Sequence, residues 1–270
     1  MAASNLTLRI ASAVVLAPAA LAVTYFGEWP FGIFWTAAAV AVMWEWSALV
    51  DRAGGQLAFG AGAVAIIVSA LMTEFSRPMV AILLIMLGAF AVVVFAPAAR
   101  RLWMAAGLGY AGALALAPIF LRDDPQLGIA AILLVFIVVW ATDIIGYFVG
   151  RAIGGPKLAP SISPKKTWSG ALAGTLGAVM LAALFAPYAG VRVIPVVAIA
   201  FSLSIASQAG DLLESAVKRH FDAKDAGTLI PGHGGVMDRL DGFWAAICVA
   251  TSVGILRGGF EAPAQGLLVW

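Results

Sequence analysis

The chain has 270 residues, 63% of them hydrophobic and only 11% charged, with a mean hydropathy of +1.01. A water-covered domain is about half apolar and about a quarter charged, so a soluble globular protein is excluded, and this apolar content also excludes disorder. The net charge of +2 is too small to point to nucleic acid. What remains is an all-α, polytopic membrane helix bundle.

A spanning helix needs about 20 largely apolar residues. Read between charge clusters and Gly/Pro punctuation, the chain predicts about nine transmembrane helices, at 10–26, 30–50, 57–72, 78–96, 103–121, 127–149, 169–186, 193–213 and 242–257. The first run, with Arg9 before it and Ala20-Leu21-Ala22 near its end, superficially mimics a cleaved signal peptide. It continues to Phe26, which is long enough to span. In the second, Glu45 lies between Trp44 and Trp46 near the helix end, where it either lines a polar cavity or snorkels to the interface. The single cysteine, Cys248, sits in an apolar run and reads as a small packing residue.

The basic residues orient the bundle. With the N-terminus cytoplasmic, 12 of the 16 Lys and Arg residues fall in inside loops, and only Arg77, Arg122, Arg192 and Arg257 fall outside. Half of all charged residues lie in two stretches, Asp143–Lys166 and Asp211–Asp241, both on the expected cytoplasmic side. The chain therefore divides into scaffold helices at 1–126 and a region at 127–270 that carries a cytoplasmic polar cavity.

Asp143 belongs to the sixth spanning helix, where an ionisable side chain is costly and functional by default. The loop after it holds Pro156, Pro160 and Pro164, which stiffen it, and then Ser163, Lys165, Lys166 and Thr167 just before the seventh helix. Ammonium and hydroxyl groups beside a helix N-terminus suit phosphate. Ordinary positive-inside anchoring would explain the lysines equally well.

The second stretch is more specific. At helical spacing Asp211, Glu214, Ser215 and Lys218 share one face as the eighth helix leaves the membrane. Such a row suits a divalent metal at one end and a phosphate at the other, whereas a Glu214–Lys218 pair on a wet face would leave Asp211 unexplained. Arg219 and Lys224 follow, then Pro231-Gly232-His233-Gly234-Gly235, which cannot be helix. Its glycines let backbone N–H groups approach a ligand closely. Asp238 and Asp241, with Arg239 between them, stand at the mouth of the ninth helix. Either could be an N-cap, but facing Asp211 across a hairpin they look more like an Mg²⁺ site, since Mg²⁺ takes one or two carboxylates plus substrate phosphates.

The run Ser215-Ala-Val-Lys218-Arg219, Lys224-Asp225, Pro231-Gly-His233-Gly234-Gly235-Val-Met-Asp238-Arg239-Leu-Asp241 resembles the signature of the phosphatidate cytidylyltransferase (CDP-diglyceride synthetase) family. The segments Asp143…Gly146-Tyr147…Gly150-Arg151 and Ser163-Pro164-Lys165-Lys166-Thr167-Trp168 are similar to it too. The motif-level likeness covers roughly residues 140–245, and departures fall at Ser169, where the family carries Glu, and Gly242, where Ser is common.

The resemblance implies the reaction of CTP with phosphatidate to give CDP-diacylglycerol and pyrophosphate, with Mg²⁺ and room for a second, monovalent cation such as K⁺. It implies a homodimer in a bacterial-type inner membrane with the active site on the cytoplasmic side. It assigns metal binding to Asp211 and Asp238, with Asp241 beside them, and the essential lysine to Lys218. Ser163, Lys165, Lys166, Ser215, Arg219, Lys224, His233, Gly234, Gly235 and Arg239 then serve the substrate phosphates. The main rival, a secondary transporter coupling ions at Asp143 and Asp211, should show inverted repeats with broken helices, and the polar motifs occur only in the C-terminal half. A CDP-alcohol phosphatidyltransferase should show further spaced aspartates that this sequence lacks.

Overall fold

The computed structural model describes residues 2–51, 55–230 and 234–270, with side chains from Val14 onward. Arg52 and His233 lie outside the described residues, as does the Arg9 side chain. The chain is a succession of long helices: α1 (Ala2–Phe26), α2 (Glu28–Val50), α3 (Gln56–Glu74), α4 (Pro78–Phe95), α5 (Arg101–Arg122), α6 (Gly128–Ile153), α7 (Trp168–Tyr188), α8 (Val193–His220), α9 (Met237–Gly258) and the short α10 (Pro263–Leu268). Eight of these helical stretches are long and apolar enough to cross a membrane, and the described apolar part of α1, Val14–Phe26, is shorter. The all-α bundle of about nine spans is thus borne out.

Two departures from the sequence reading matter for the site. The proline-stiffened loop before α7 is a small antiparallel hairpin of β1 (Lys157–Ala159) and β2 (Ser163–Thr167). Pro160 at its turn and Pro164 on β2 are compatible with pairing, because both strands of a two-stranded hairpin are edges and such positions need not donate to a ladder. The ninth helix begins at Met237 rather than 242, so Asp238 and Asp241 both stand inside α9.

The chain forms two compact units, Met1–Phe120 with Phe221–Leu240, and Leu121–His220 with Asp241–Trp270. In the first, α1 packs on α2, α2 on α3 and α3 on α4. Along α5, Met104, Leu108, Ala111, Leu114 and Ala115 are wholly inaccessible. By contrast α4, almost pure hydrocarbon, buries only Ala81, Gly88 and Val92. A helix with so much exposed apolar surface is stable only in lipid or against another apolar surface.

In the second unit α7 packs along both α6 and α8. Close approach to α6 is made possible at Gly170, where a Cβ would stand 2.6 Å from the Gly146 carbonyl oxygen. A buried polar chain ties the three helices. Thr142 and Ser204 hydroxyls lie 2.8 Å apart, Ser204 and Thr175 3.0 Å apart, and Gln208 Nε2 donates to Thr175 Oγ1 at 2.9 Å. Interhelical bonds of this kind glue helices where no hydrophobic force can. At the start of α6, buried Asp124 accepts from the Gln126 and Leu127 N–H groups at 3.0 Å each and from Gln265 N–H at 2.9 Å, fastening α10 to the α6 N-terminus.

Candidate active site

The polar chemistry divides between the two units. In the second, α8 carries Asp211, Glu214, Ser215 and Lys218 on successive turns, as helical spacing requires. Lys166, reaching from β2, donates its ammonium to Asp211 Oδ2. Ser215 lies one turn on and donates to Asp211 Oδ1 at 3.4 Å. Asp211 is therefore flanked by a fixed cation and a hydroxyl donor. The hairpin explains how Lys166 arrives there: Thr167 caps α7 by accepting from Gly170 N–H at 3.2 Å, which fixes the exit of β2. Ser169 donates to the Gly154 carbonyl and lies 3.0 Å from Thr167 Oγ1, so it serves the same turn. Lys165 and Ser163 are on the same strand, Lys165 exposed and Ser163 half-buried.

Glu214 and Lys218 form an ion pair one turn apart, but not on a wet face: Glu214 is 1% exposed and Lys218 8%. Burying two charges is tolerable only when they are paired. Asp241, half-buried on α9, accepts from Gly242 N–H at 2.7 Å and lies in the field of Asp211, Glu214 and Asp143. Asp241 thus feels three other carboxylates, of which Asp211 is paired with Lys166 and Glu214 with Lys218. Carboxylate oxygens are the ligands a divalent cation takes. Among the described residues no three His, Cys, Asp or Glu side chains form a metal cage, but Mg²⁺ asks for less, since substrate phosphates complete its shell.

In the first unit the segment from Phe221 to Leu240 forms the glycine-rich loop and the first turn of α9. Ile230 N–H donates to the Gly234 carbonyl at 2.9 Å; residues 231–233 between them lie outside the described residues. Gly234 has φ +82°, a left-handed conformation that favours glycine. Asp238 reaches back three residues, its Oδ2 accepting Gly235 N–H at 2.8 Å and Ala226 N–H at 2.9 Å. Lys224 and Arg239 are exposed here, and Arg219 is exposed at the end of α8.

Neither aspartate is the N-cap of α9. That place is taken from far away by Glu45 of α2, whose two oxygens accept the Val236 and Met237 N–H groups at 2.9 and 2.8 Å. Glu45 is 2% exposed, so it does not snorkel. Its position between two tryptophans in an apolar helix marked it as unusual, but nothing in the sequence named its partner 191 residues away.

Eight helical stretches long and apolar enough to cross a membrane, with charged side chains held in them by ion pairs and backbone N–H groups, make this an integral membrane protein. The chain belongs to the cytidylyltransferase family, whose model matches residues 7–256. It is 43% identical over 267 residues to a phosphatidate cytidylyltransferase of Brucella suis biovar 1, covering 96% of this chain and 97% of that one. It is also 46% identical over 250 residues to the phosphatidate cytidylyltransferase of Brucella abortus biovar 1, covering 90% and 91%. A phosphatidate cytidylyltransferase of Bacillus subtilis is 44% identical over 125 residues, 46% of each chain.

Proposed function

We propose that this chain transfers the cytidylyl group of CTP to phosphatidate, giving CDP-diacylglycerol and pyrophosphate for phospholipid synthesis. The observation that carries this reading is the 43% identity over 96% of the chain to a protein of that activity. The clustering of carboxylate and ammonium groups at Asp211, Lys166, Glu214 and Lys218 supports it.

A phosphatidate phosphate oxygen attacks the α-phosphorus of CTP, a new P–O bond forms, and the bond to the bridging oxygen of pyrophosphate breaks in line. Such a transfer needs positioning and charge neutralisation more than covalent help. The nucleophile is already an anion at neutral pH, so no general base is required. Asp211, Asp238 and Asp241 would hold Mg²⁺, with a monovalent ion such as K⁺ as a second partner. When bound, Mg²⁺ supplies charge neutralisation at the attacking and leaving oxygens. Lys218, Arg219, Lys224 and Arg239 offset the phosphate charge, Lys165, Lys166, Ser163 and Ser215 add donors from β2 and α8, and Gly234 and Gly235 contribute backbone N–H groups. His233 is read as a further phosphate donor.

The apolar bundle keeps the acyl chains of phosphatidate in the bilayer while CTP arrives from water. The reading places the N-terminus and the site on the cytoplasmic side of a bacterial-type inner membrane, by the 12 to 4 asymmetry of basic residues, and makes the enzyme a homodimer. Residues 127–270 carry most of the chemistry, with 1–126 largely scaffold. Incorporation of labelled CTP into lipid by the purified protein tests the whole: label should enter lipid only when phosphatidate and a divalent cation are present. Label-free lipid under those conditions would overturn it.

A further inference from the structure

We infer that Glu45 of α2 is a positioning residue for the reaction, holding the Gly-rich segment and the first turn of α9 so that Asp238 is aimed correctly. The inference rests on the reading of Asp238 as a metal-holding residue. Both Glu45 oxygens are committed, one to Val236 N–H and one to Met237 N–H, and Asp238 is the next residue along. Asp238 in turn takes the N–H groups of Ala226 and Gly235. Two carboxylates therefore hold four backbone donors of one segment.

The loop is shaped around the Glu45 carboxylate. A Cβ at Gly227 would stand 2.6 Å from its Oε1, and one at Gly235 2.6 Å from its Oε2, so a side chain at either position would displace the carboxylate. The N-terminus of a helix is ordinarily satisfied by a local Ser, Thr, Asp or Asn. Here the residue before α9 is Val236, whose side chain has no acceptor to offer. The cap comes instead from a helix 191 residues upstream, so the first turn of α9 sets only once α2 is in place. The start of the segment is held in the same unit, where the Phe221 ring meets the Trp103 ring edge-on at 5.1 Å and the Arg100 guanidinium at 5.5 Å.

The test compares wild type, E45Q, G235A and D238N. Glutamine keeps the size of Glu45 but turns a donor toward one of the two N–H groups. Loss of one charge-assisted bond corresponds to roughly a tenfold effect. E45Q should lower kcat about tenfold while KM for CTP stays within about twofold, and should raise the Mg²⁺ concentration for half-maximal activity several-fold. Independently of activity, hydrogen exchange at the Val236 and Met237 amides should quicken about tenfold in E45Q, with the α6 and α7 amides unchanged. G235A, which crowds the carboxylate, should do the same.

Wild-type kcat and exchange in both E45Q and G235A would overturn the inference, as would a fall in kcat with exchange at 236–237 unchanged. D238N distinguishes the two layers of the argument. Inactive D238N with protected 236–237 amides leaves the reading of Asp238 standing whatever Glu45 does. Fully active D238N removes that reading, and the role of Glu45 with it.

Discussion

Lys166 on β2 donates to Asp211 on α8 across 45 residues of sequence, a half-buried cation set against a half-buried carboxylate. Its neighbour Lys165 points to the exposed side of the same strand. Two adjacent lysines are thus given different surroundings by strand alternation: one is fixed against Asp211, the other is exposed.

K166M should therefore lower the rate of CDP-diacylglycerol formation by at least about tenfold, through loss of a charge-assisted bond. K165M should act mainly on KM for CTP, and its effect should fade as salt is raised because exposed charges are screened. Initial rates with labelled CTP at low and high ionic strength separate the two.

D211N and D238N should each abolish turnover while the protein still reaches the membrane fraction in normal amounts. Chelation of divalent cations should silence the wild type in the same assay, and added Mg²⁺ should restore it. Full activity in either variant removes that aspartate from the site.

K218A leaves Glu214 buried without its ammonium partner, and breaking a buried pair from one side costs about 3–5 kcal/mol. Its midpoint of thermal unfolding in detergent should fall clearly. E214Q/K218M, with no buried charge, should regain most of that stability but no activity. This double variant separates the structural from the chemical contribution of Lys218, which K218A alone cannot do.

D124A removes an acceptor for three backbone N–H groups and frees α10 from the start of α6. Loss of these bonds should cost about 1–3 kcal/mol, seen as a lower unfolding midpoint, while turnover at low temperature stays near wild type. A large activity loss at full occupancy of the folded state would show that this end of the chain does more than fasten itself.

The gain from tertiary structure is clearest at α9. Sequence spacing put Asp238 and Asp241 at the helix mouth and offered an N-cap role for either. The helix starts earlier, at Met237, and its cap is Glu45. A cap normally lies within a residue or two of the helix it serves, so pattern reading looks for it nearby. A carboxylate from another helix leaves no trace in that window. The hairpin at 157–167 was hidden for a related reason: two prolines in its eleven residues, with Pro156 just before them, read as loop, and pairing of so short a ladder depends on what it docks against.

By itself the sequence determined that the protein lives in lipid, about how many spans it has and roughly where they lie, and where its charged residues cluster. Those follow from composition and local periodicity, because transfer of apolar side chains out of water is a property of each segment taken alone. Only the tertiary structure decided which charge meets which: Lys166 with Asp211, Lys218 with Glu214 in a buried rather than wet pair, Glu45 with the start of α9. Partner choice across 45 or 191 residues is set by packing, and a buried charge takes whichever partner the fold brings within reach.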